Sequence, residues 1–154
     1  MSTLELSDYL TTQTVRVQVE AGNWASVIEQ AGQLLLNTGK IEPRYIEAMK
    51  AILEVEGPYM VIAPGIALLH ARPHDGALGE CLSLITLAAP VDFGNPENDP
   101  VTLAIAFAAG EADTHIQILG QLAQLLADEE RVDQILRAAE VQEVLTVLQN
   151  RQPN

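Results

Sequence analysis

The stretch Tyr59-Met-Val-Ile-Ala-Pro-Gly-Ile-Ala-Leu-Leu-His70 decides the fold. It holds two short apolar runs, Tyr59 to Ile62 and Ile66 to Leu69, parted by Ala63-Pro64-Gly65, which is the pattern of strands joined by a turn. A third strand is expected over Cys81 to Leu87. Asn95-Pro-Glu-Asn-Asp-Pro100 reads as a loop, and Val101-Thr-Leu-Ala-Ile-Ala-Phe-Ala108 as a strand buried on both faces, although its alanines are also compatible with a helix. Upstream, Val15-Arg-Val-Gln-Val19 alternates apolar and polar residues, the period of a strand with one buried face.

Helical patterns flank this strand-rich middle. Asn23 precedes Trp24, Val27, Ile28, Ala31, Leu34 and Leu35, spaced three and four apart, and Gly39 follows, so a helix is predicted over 24 to 37. A second begins at Pro43, whose missing N–H costs nothing in a first turn; it turns Tyr45, Ile46, Met49, Ile52 and Leu53 inward and stops at Gly57-Pro58. Thr114 to Leu126 places Ile116, Leu119, Leu122, Ala123 and Leu126 on one stripe, with Asp113 as its cap. Val132 to Ala138 and Val141 to Leu148 are shorter amphipathic segments, and Asn150 to Asn154 are expected to fray. No repeat or linker divides the chain. The expectation is α/β: a single three-layer α/β/α domain over residues 1–154, with a central mixed sheet flanked by helices.

Composition narrows the function classes. The chain has 154 residues, 48% of them hydrophobic and 19% charged, too apolar for disorder. Eight Lys and Arg against 21 Asp and Glu give a net charge of −13. Such a surface argues against nucleic acid, whose phosphates need a basic face, and against anionic membranes. One cysteine, Cys81, rules out an internal disulfide and points to a reducing compartment. With no signal-like start and no apolar run of about 18 residues, a soluble, cytoplasmic protein is expected.

Chemistry is sought among residues this pattern leaves over. His70 closes a strand and is followed by Arg72, Pro73 and Gly76, where regular structure breaks. Strand ends beside loops are where α/β folds place working groups. A histidine there offers a neutral imidazole nitrogen near pH 7, as base or nucleophile, or it is simply bonded to backbone. His115 stands in the first turn of its helix, where free N–H groups attract an anion such as phosphate, or it is a plain surface histidine. His74, between Pro73 and Asp75, reads as solvated. Cys81, among Leu82, Leu84 and Ile85, reads as an inert buried thiol. No HExxH, paired-cysteine or Ca²⁺-loop pattern supports a metal, and no Walker loop, GxGxxG or GxSxG is found.

Gly65-Ile-Ala-Leu-Leu-His-Ala71 resembles the Gly-x-Ala-x-Pro-His-Gly signature of the fructose/mannitol superfamily of enzyme IIA (EIIA) proteins of the sugar phosphotransferase system (PTS). Ile41-Glu-Pro-Arg-Tyr-Ile-Glu-Ala-Met49 is similar to the segment upstream of that signature. Thr114-His-Ile-Gln-Ile-Leu119 is similar to the one holding the family's second active-site histidine. Gly57 to Gly65, Arg72-Pro73 and Asn98-Asp-Pro100 are most similar to the ascorbate-specific branch. The resemblance implies a mixed sheet flanked by helices and a phosphoryl relay without a cofactor. His70 would accept the group from the phosphocarrier HPr and pass it to a cysteine of the IIB component, and the membrane IIC component would move the sugar. His115 would stabilise the phosphoryl group. Leu69 and Ala71 stand where the family has proline and glycine. The arginine that the mannitol and fructose branches carry upstream is matched here by Ile52, so Arg72 is expected to supply that charge. A nitrogen-type regulatory EIIA is the rival within the family. A non-catalytic binding module with structural histidines is the rival outside it.

Overall fold

A computed structural model describes residues 5–110 and 112–149; the side chains of residues 112–115 are outside that description. Among these residues five strands form one sheet: β1 (Val15–Val19), β2 (Val61–Ala63), β3 (Ile66–Leu69), β4 (Cys81–Val91) and β5 (Val101–Ala108), in the order β1-β4-β5-β3-β2. β1 runs parallel to β4 and β3 parallel to β5, while β4 with β5 and β2 with β3 are antiparallel. The sheet is mixed, as the sequence implies. Among the described residues six helices accompany it: α1 (Leu6–Tyr9), α2 (Trp24–Asn37), α3 (Pro43–Glu56), α4 (Ala112–Ala127), α5 (Glu129–Arg137) and α6 (Val141–Gln149).

The alternation of side chains along the strands divides the core in two. Ala67 and Leu69 of β3, Ile85 of β4, and Ala104 and Ala106 of β5 pack with α2 and α3. Ile66, Leu68, Leu84, Leu103, Ile105 and Phe107 pack on the other face with buried residues of α4, α5 and α6. β5 is central, and every residue in it except Thr102 is buried, which explains its uninterrupted apolar run. Small alanines on one face of β5 bring α2 close, and long side chains on the other hold the second helical layer away.

The first helices match their sequence signals. Asn23 caps α2, its side chain accepting from the Ser26 N–H at 2.9 Å, and Pro43 opens α3. Other expectations shift. Tyr59 is 77% exposed in a turn, and β2 occupies Val61–Ala63 instead of starting at residue 59; backbone bonding to β3 reaches back to Met60, whose carbonyl accepts from the Leu68 N–H at 2.7 Å. Pro64-Gly65 makes the hairpin turn, with Gly65 at φ 79°, a region that disfavours a side chain. β4 runs on to Val91, past the expected Leu87, since its far end still pairs with Val101. α4 starts at Ala112, ahead of the expected Thr114, and Asp113, expected as its cap, falls inside the first turn. Ile116, expected on the buried stripe, is 66% exposed, and Ala123 is exposed too. The buried phase is Ile118, Leu122 and Leu125. The expected fraying at 150–154 lies outside the described residues.

Gly32 sits where α2 crosses α3, and a Cβ there would stand 2.7 Å from Ile46 Cγ1. Gly32→Ala is therefore expected to lower stability by about 1–3 kcal/mol through overpacking, although alanine is the better helix former by about 1 kcal/mol. Urea denaturation checks this; an unchanged or raised midpoint contradicts it.

Candidate functional site

His70 follows the last residue of β3, at the sheet edge where β5 also ends, shortly before α4 begins. Strand alternation sends its ring to the side of Ile66 and Leu68, the face that α4 covers. There the imidazole stacks on Phe107, ring centroids 5.2 Å apart and planes 26° from parallel. Its Nδ1 lies 3.1 Å from the Leu68 carbonyl oxygen. A carbonyl can only accept, so Nδ1 carries the proton in that contact, and in the neutral ring Nε2 keeps the lone pair.

The ring is half-buried and borders a cleft of about 390 Å³ lined by Ile52, Glu56, Tyr59, Met60, His70, Ala71, Arg72 and Pro73. The end of α3 forms one wall of this cleft and the segment after His70 the other. Ile52, the residue matched to the family's upstream arginine, lines the cleft as an apolar side chain, and Arg72 lines it as a cation. Its Nη2 lies 3.2 Å from Glu56 Oε2, with both side chains about half exposed, so the pair is weak, worth about 0–1 kcal/mol, and open to exchange for another anion.

The segment carrying Arg72 is fixed by its backbone. A 3-10 turn over Pro73–Asp75 follows, and the Arg72 N–H donates to Asp75 Oδ2 at 3.1 Å. Arg44 at the start of α3 donates through Nη1 to the His74 carbonyl at 3.0 Å, and the Glu42 N–H donates to the Gly76 carbonyl at 2.8 Å. Gly76 has φ 124°, and a Cβ there would meet Glu42 Cβ at 3.3 Å, so this close approach requires glycine. A merely random loop after His70 is excluded by these ties.

The other candidates separate clearly. His74 is 77% exposed, as its turn predicts. His115 lies on the first turn of α4, on the helix that leaves from the His70 edge; its side chain is not among those described. Cys81 is buried in the sheet, and burial pushes its thiol up to about 11, the opposite of an activated nucleophile. Among the described residues no cluster of three His, Cys, Asp or Glu side chains suits a metal ion, and no helix is long and apolar enough to cross a membrane. Sequence reading missed Glu56, Tyr59 and Met60 as cleft residues, because a helix end and a short apolar run look structural until the turn folds them back toward His70. It also counted Tyr45 only as apolar core, although a buried phenol must find a polar partner.

The fold is shared with solved enzyme IIA structures, which sets the class of protein. The solution structure of the mannitol-specific cryptic phosphotransferase enzyme IIA CmtB from Escherichia coli superposes with TM-score 0.86 at 36% identity, covering 94% of this chain and 98% of that one. The IIA structure in the complex of enzyme IIA and phosphorylated enzyme IIB for mannitol, from the same organism, gives TM-score 0.80 at 26% identity over 92% and 97%. The ascorbate-specific PTS system EIIA component of Escherichia coli K12 is 37% identical over 147 residues, 94% of this chain and 96% of that one. A family model described as "Phosphoenolpyruvate-dependent sugar phosphotransferase system, EIIA 2" matches residues 8–151, and the chain belongs to this family. It is an EIIA sugar phosphotransferase component, a phosphoryl relay protein.

Cys81 also gives the site's surroundings a pH signature. The folded state holds the thiol proton up to about pH 11, whereas the unfolded chain sheds it from about pH 9. Its contribution to stability is full below pH 9 and is lost as pH rises from 9 to 11. Cys81→Ala is expected to lose less stability across that interval than the native chain in urea titrations; parallel declines contradict the assignment.

Proposed function

We propose that this EIIA accepts a phosphoryl group from phospho-HPr on Nε2 of His70 and passes it to a cysteine of the IIB component of an ascorbate-specific PTS. The observation that carries the reading is the Nδ1 contact with the Leu68 carbonyl, which assigns the ring lone pair of a neutral imidazole to Nε2, on a residue that borders the cleft.

The chemistry balances without a cofactor. The Nε2 lone pair attacks the phosphorus of the donor phosphohistidine in line, the N–P bond of the donor breaks, and the donor imidazole leaves with the bonding electrons. The Nδ1 proton of His70 stays in place on Leu68, offsetting charge on the phosphorylated ring. In the onward step a IIB thiolate attacks the same phosphorus, the His70 N–P bond breaks, and His70 returns as the neutral Nδ1–H imidazole. Arg72 exchanges Glu56 for the phosphoryl oxygens and offers them planar donors. His115, at the N-terminal turn of α4, adds a donor and the positive end of a helix. The acidic surface, −13 overall, speeds encounter with a basic docking face on the donor.

The sugar and the partners rest on likeness. The ascorbate reading is supported by the 37% identity to an ascorbate-specific component and by the Gly57 to Gly65, Arg72-Pro73 and Asn98-Asp-Pro100 motifs. A IIB partner is supported by the solved complex of the mannitol relative with its phosphorylated IIB. HPr as donor and a IIC permease downstream complete the chain of transfer that such a component serves.

Incubation with phosphoenolpyruvate, enzyme I and HPr tests the acceptor: acid-labile phosphate is expected on wild type and absent from His70→Ala. An unlabelled wild type contradicts the relay. Addition of the ascorbate and mannitol IIB proteins separately is expected to discharge the label onto the former faster, and equal discharge contradicts the ascorbate assignment. Arg72→Ala is expected to slow acceptance at least tenfold, about 1.4 kcal/mol of barrier, whereas a change within about twofold contradicts its role. Glu56→Gln is expected to speed acceptance about two- to fivefold by releasing Arg72, the range set by an exposed ion pair, and no acceleration contradicts the exchange.

A further inference from the structure

In parallel pairing the β3–β5 register runs Ile66↔Leu103, Ala67↔Ala104, Leu68↔Ile105 and Leu69↔Ala106. The bonds of such a ladder come from alternate residues, so continuing the register puts the next rung at Ala71 N–H to the Phe107 carbonyl. That rung is not direct. The Ala71 N–H donates instead to the Tyr45 hydroxyl oxygen at 3.0 Å, and the Tyr45 hydroxyl donates to the Phe107 carbonyl at 2.8 Å. The Ala71 carbonyl, 3.2 Å away, is a second acceptor within reach of the same proton. One phenol oxygen from α3 is thus inserted into the ladder immediately beyond His70.

Tyr45 is 1% exposed, and burial, its leading influence, pushes its pKa up to about 12, so the hydroxyl keeps its proton throughout the working range of the protein. No other described role uses this group. Its three polar contacts all go to the backbone flanking His70 or the residue whose ring His70 stacks against.

We propose that Tyr45 is a positioning residue of the phosphoryl relay: its hydroxyl widens the β3–β5 ladder by one oxygen at the acceptor histidine while keeping both strand ends pinned. His70 then sits between a direct rung at Leu69 and a hydroxyl-bridged rung at Ala71. The backbone on both sides is held, and the extra width seats the imidazole along Phe107 with Nδ1 on Leu68. Without the hydroxyl, the Ala71 N–H and the Phe107 carbonyl either lose this bridge or close onto each other. Either outcome turns the His70 ring away from the Leu68 carbonyl. The inference rests on the relay reading for its kinetic consequence and on geometry alone for its effect on the ring.

Tyr45→Phe keeps the packed ring and deletes the oxygen, and circular dichroism confirms folding before use. Long-range 1H–15N spectra of His70 are expected to show the Nδ1–H tautomer dominant in wild type and a mixture with the Nε2–H tautomer in the variant. A merely structural Tyr45 would lower the melting temperature and leave the tautomer ratio unmoved, which overturns the proposal. Phosphoryl transfer from phospho-HPr is expected to lose roughly tenfold in kcat with KM unchanged, since orientation and not docking is altered; an unchanged kcat overturns the kinetic part. Absence of labelling in wild type strikes the relay reading, and the tautomer ratio still judges Tyr45. If Tyr45→Phe does not fold, amide exchange of wild type decides. The Ala71 N–H is expected to exchange as slowly as the β3–β5 ladder amides, and exchange at the rate of an open loop overturns the bridged rung.

Discussion

The direct β3–β5 ladder stops at Leu69↔Ala106, and the placing of His70 depends on what the backbone does one residue later. β5 is the buried centre of the sheet, so β3 is held in register along its whole length and delivers His70 to the edge with a defined side and height. A strand that ended in a free loop would present the same imidazole in many orientations, at an entropy cost for each transfer. Here the contacts that confine the ring include a stack on Phe107, a hydrogen bond from Nδ1 to Leu68, and a backbone tied through Ala71 to Tyr45.

A relay component must accept and release the same group, which sets limits on how strongly the site binds it. Tight fixed cations would trap the phosphoryl group on His70. The pairing of Arg72 with Glu56 suits the opposite requirement, since a half-exposed ion pair exchanges at small cost in either direction. The apolar lining from Ile52, Tyr59 and Met60 leaves Arg72 as the cation among the residues that line the cleft.

Much of the fold was legible in the sequence because its elements declare themselves locally. The Asn23 cap, Pro43 at a first turn and the Val101–Ala108 run each gave α2, α3 and β5 at their observed bounds. What failed depended on tertiary pairing. Tyr59 is apolar enough to read as strand, yet β2 forms only where β3 lies opposite, and Ile116 fits a helical stripe whose true phase is set by the sheet it covers. The site divided in the same way. His70 and Arg72 could be picked out by their place after a strand; the EIIA resemblance implied a role for His70, and Arg72 was expected to stand in for the arginine that Ile52 replaces. Glu56 and the Tyr45 hydroxyl could not be, because one is a surface carboxylate until α3 folds beside Arg72, and the other is core until its oxygen meets Ala71 and Phe107.

The central claim is that His70 reacts through Nε2 because Leu68 holds the proton on Nδ1. Phosphorus–nitrogen couplings in spectra of the phosphorylated, 15N-histidine-labelled protein test it most directly. The account expects phosphorus bonded to Nε2 of His70 with Nδ1 still protonated, and phosphorus on Nδ1 or on any other residue would contradict it.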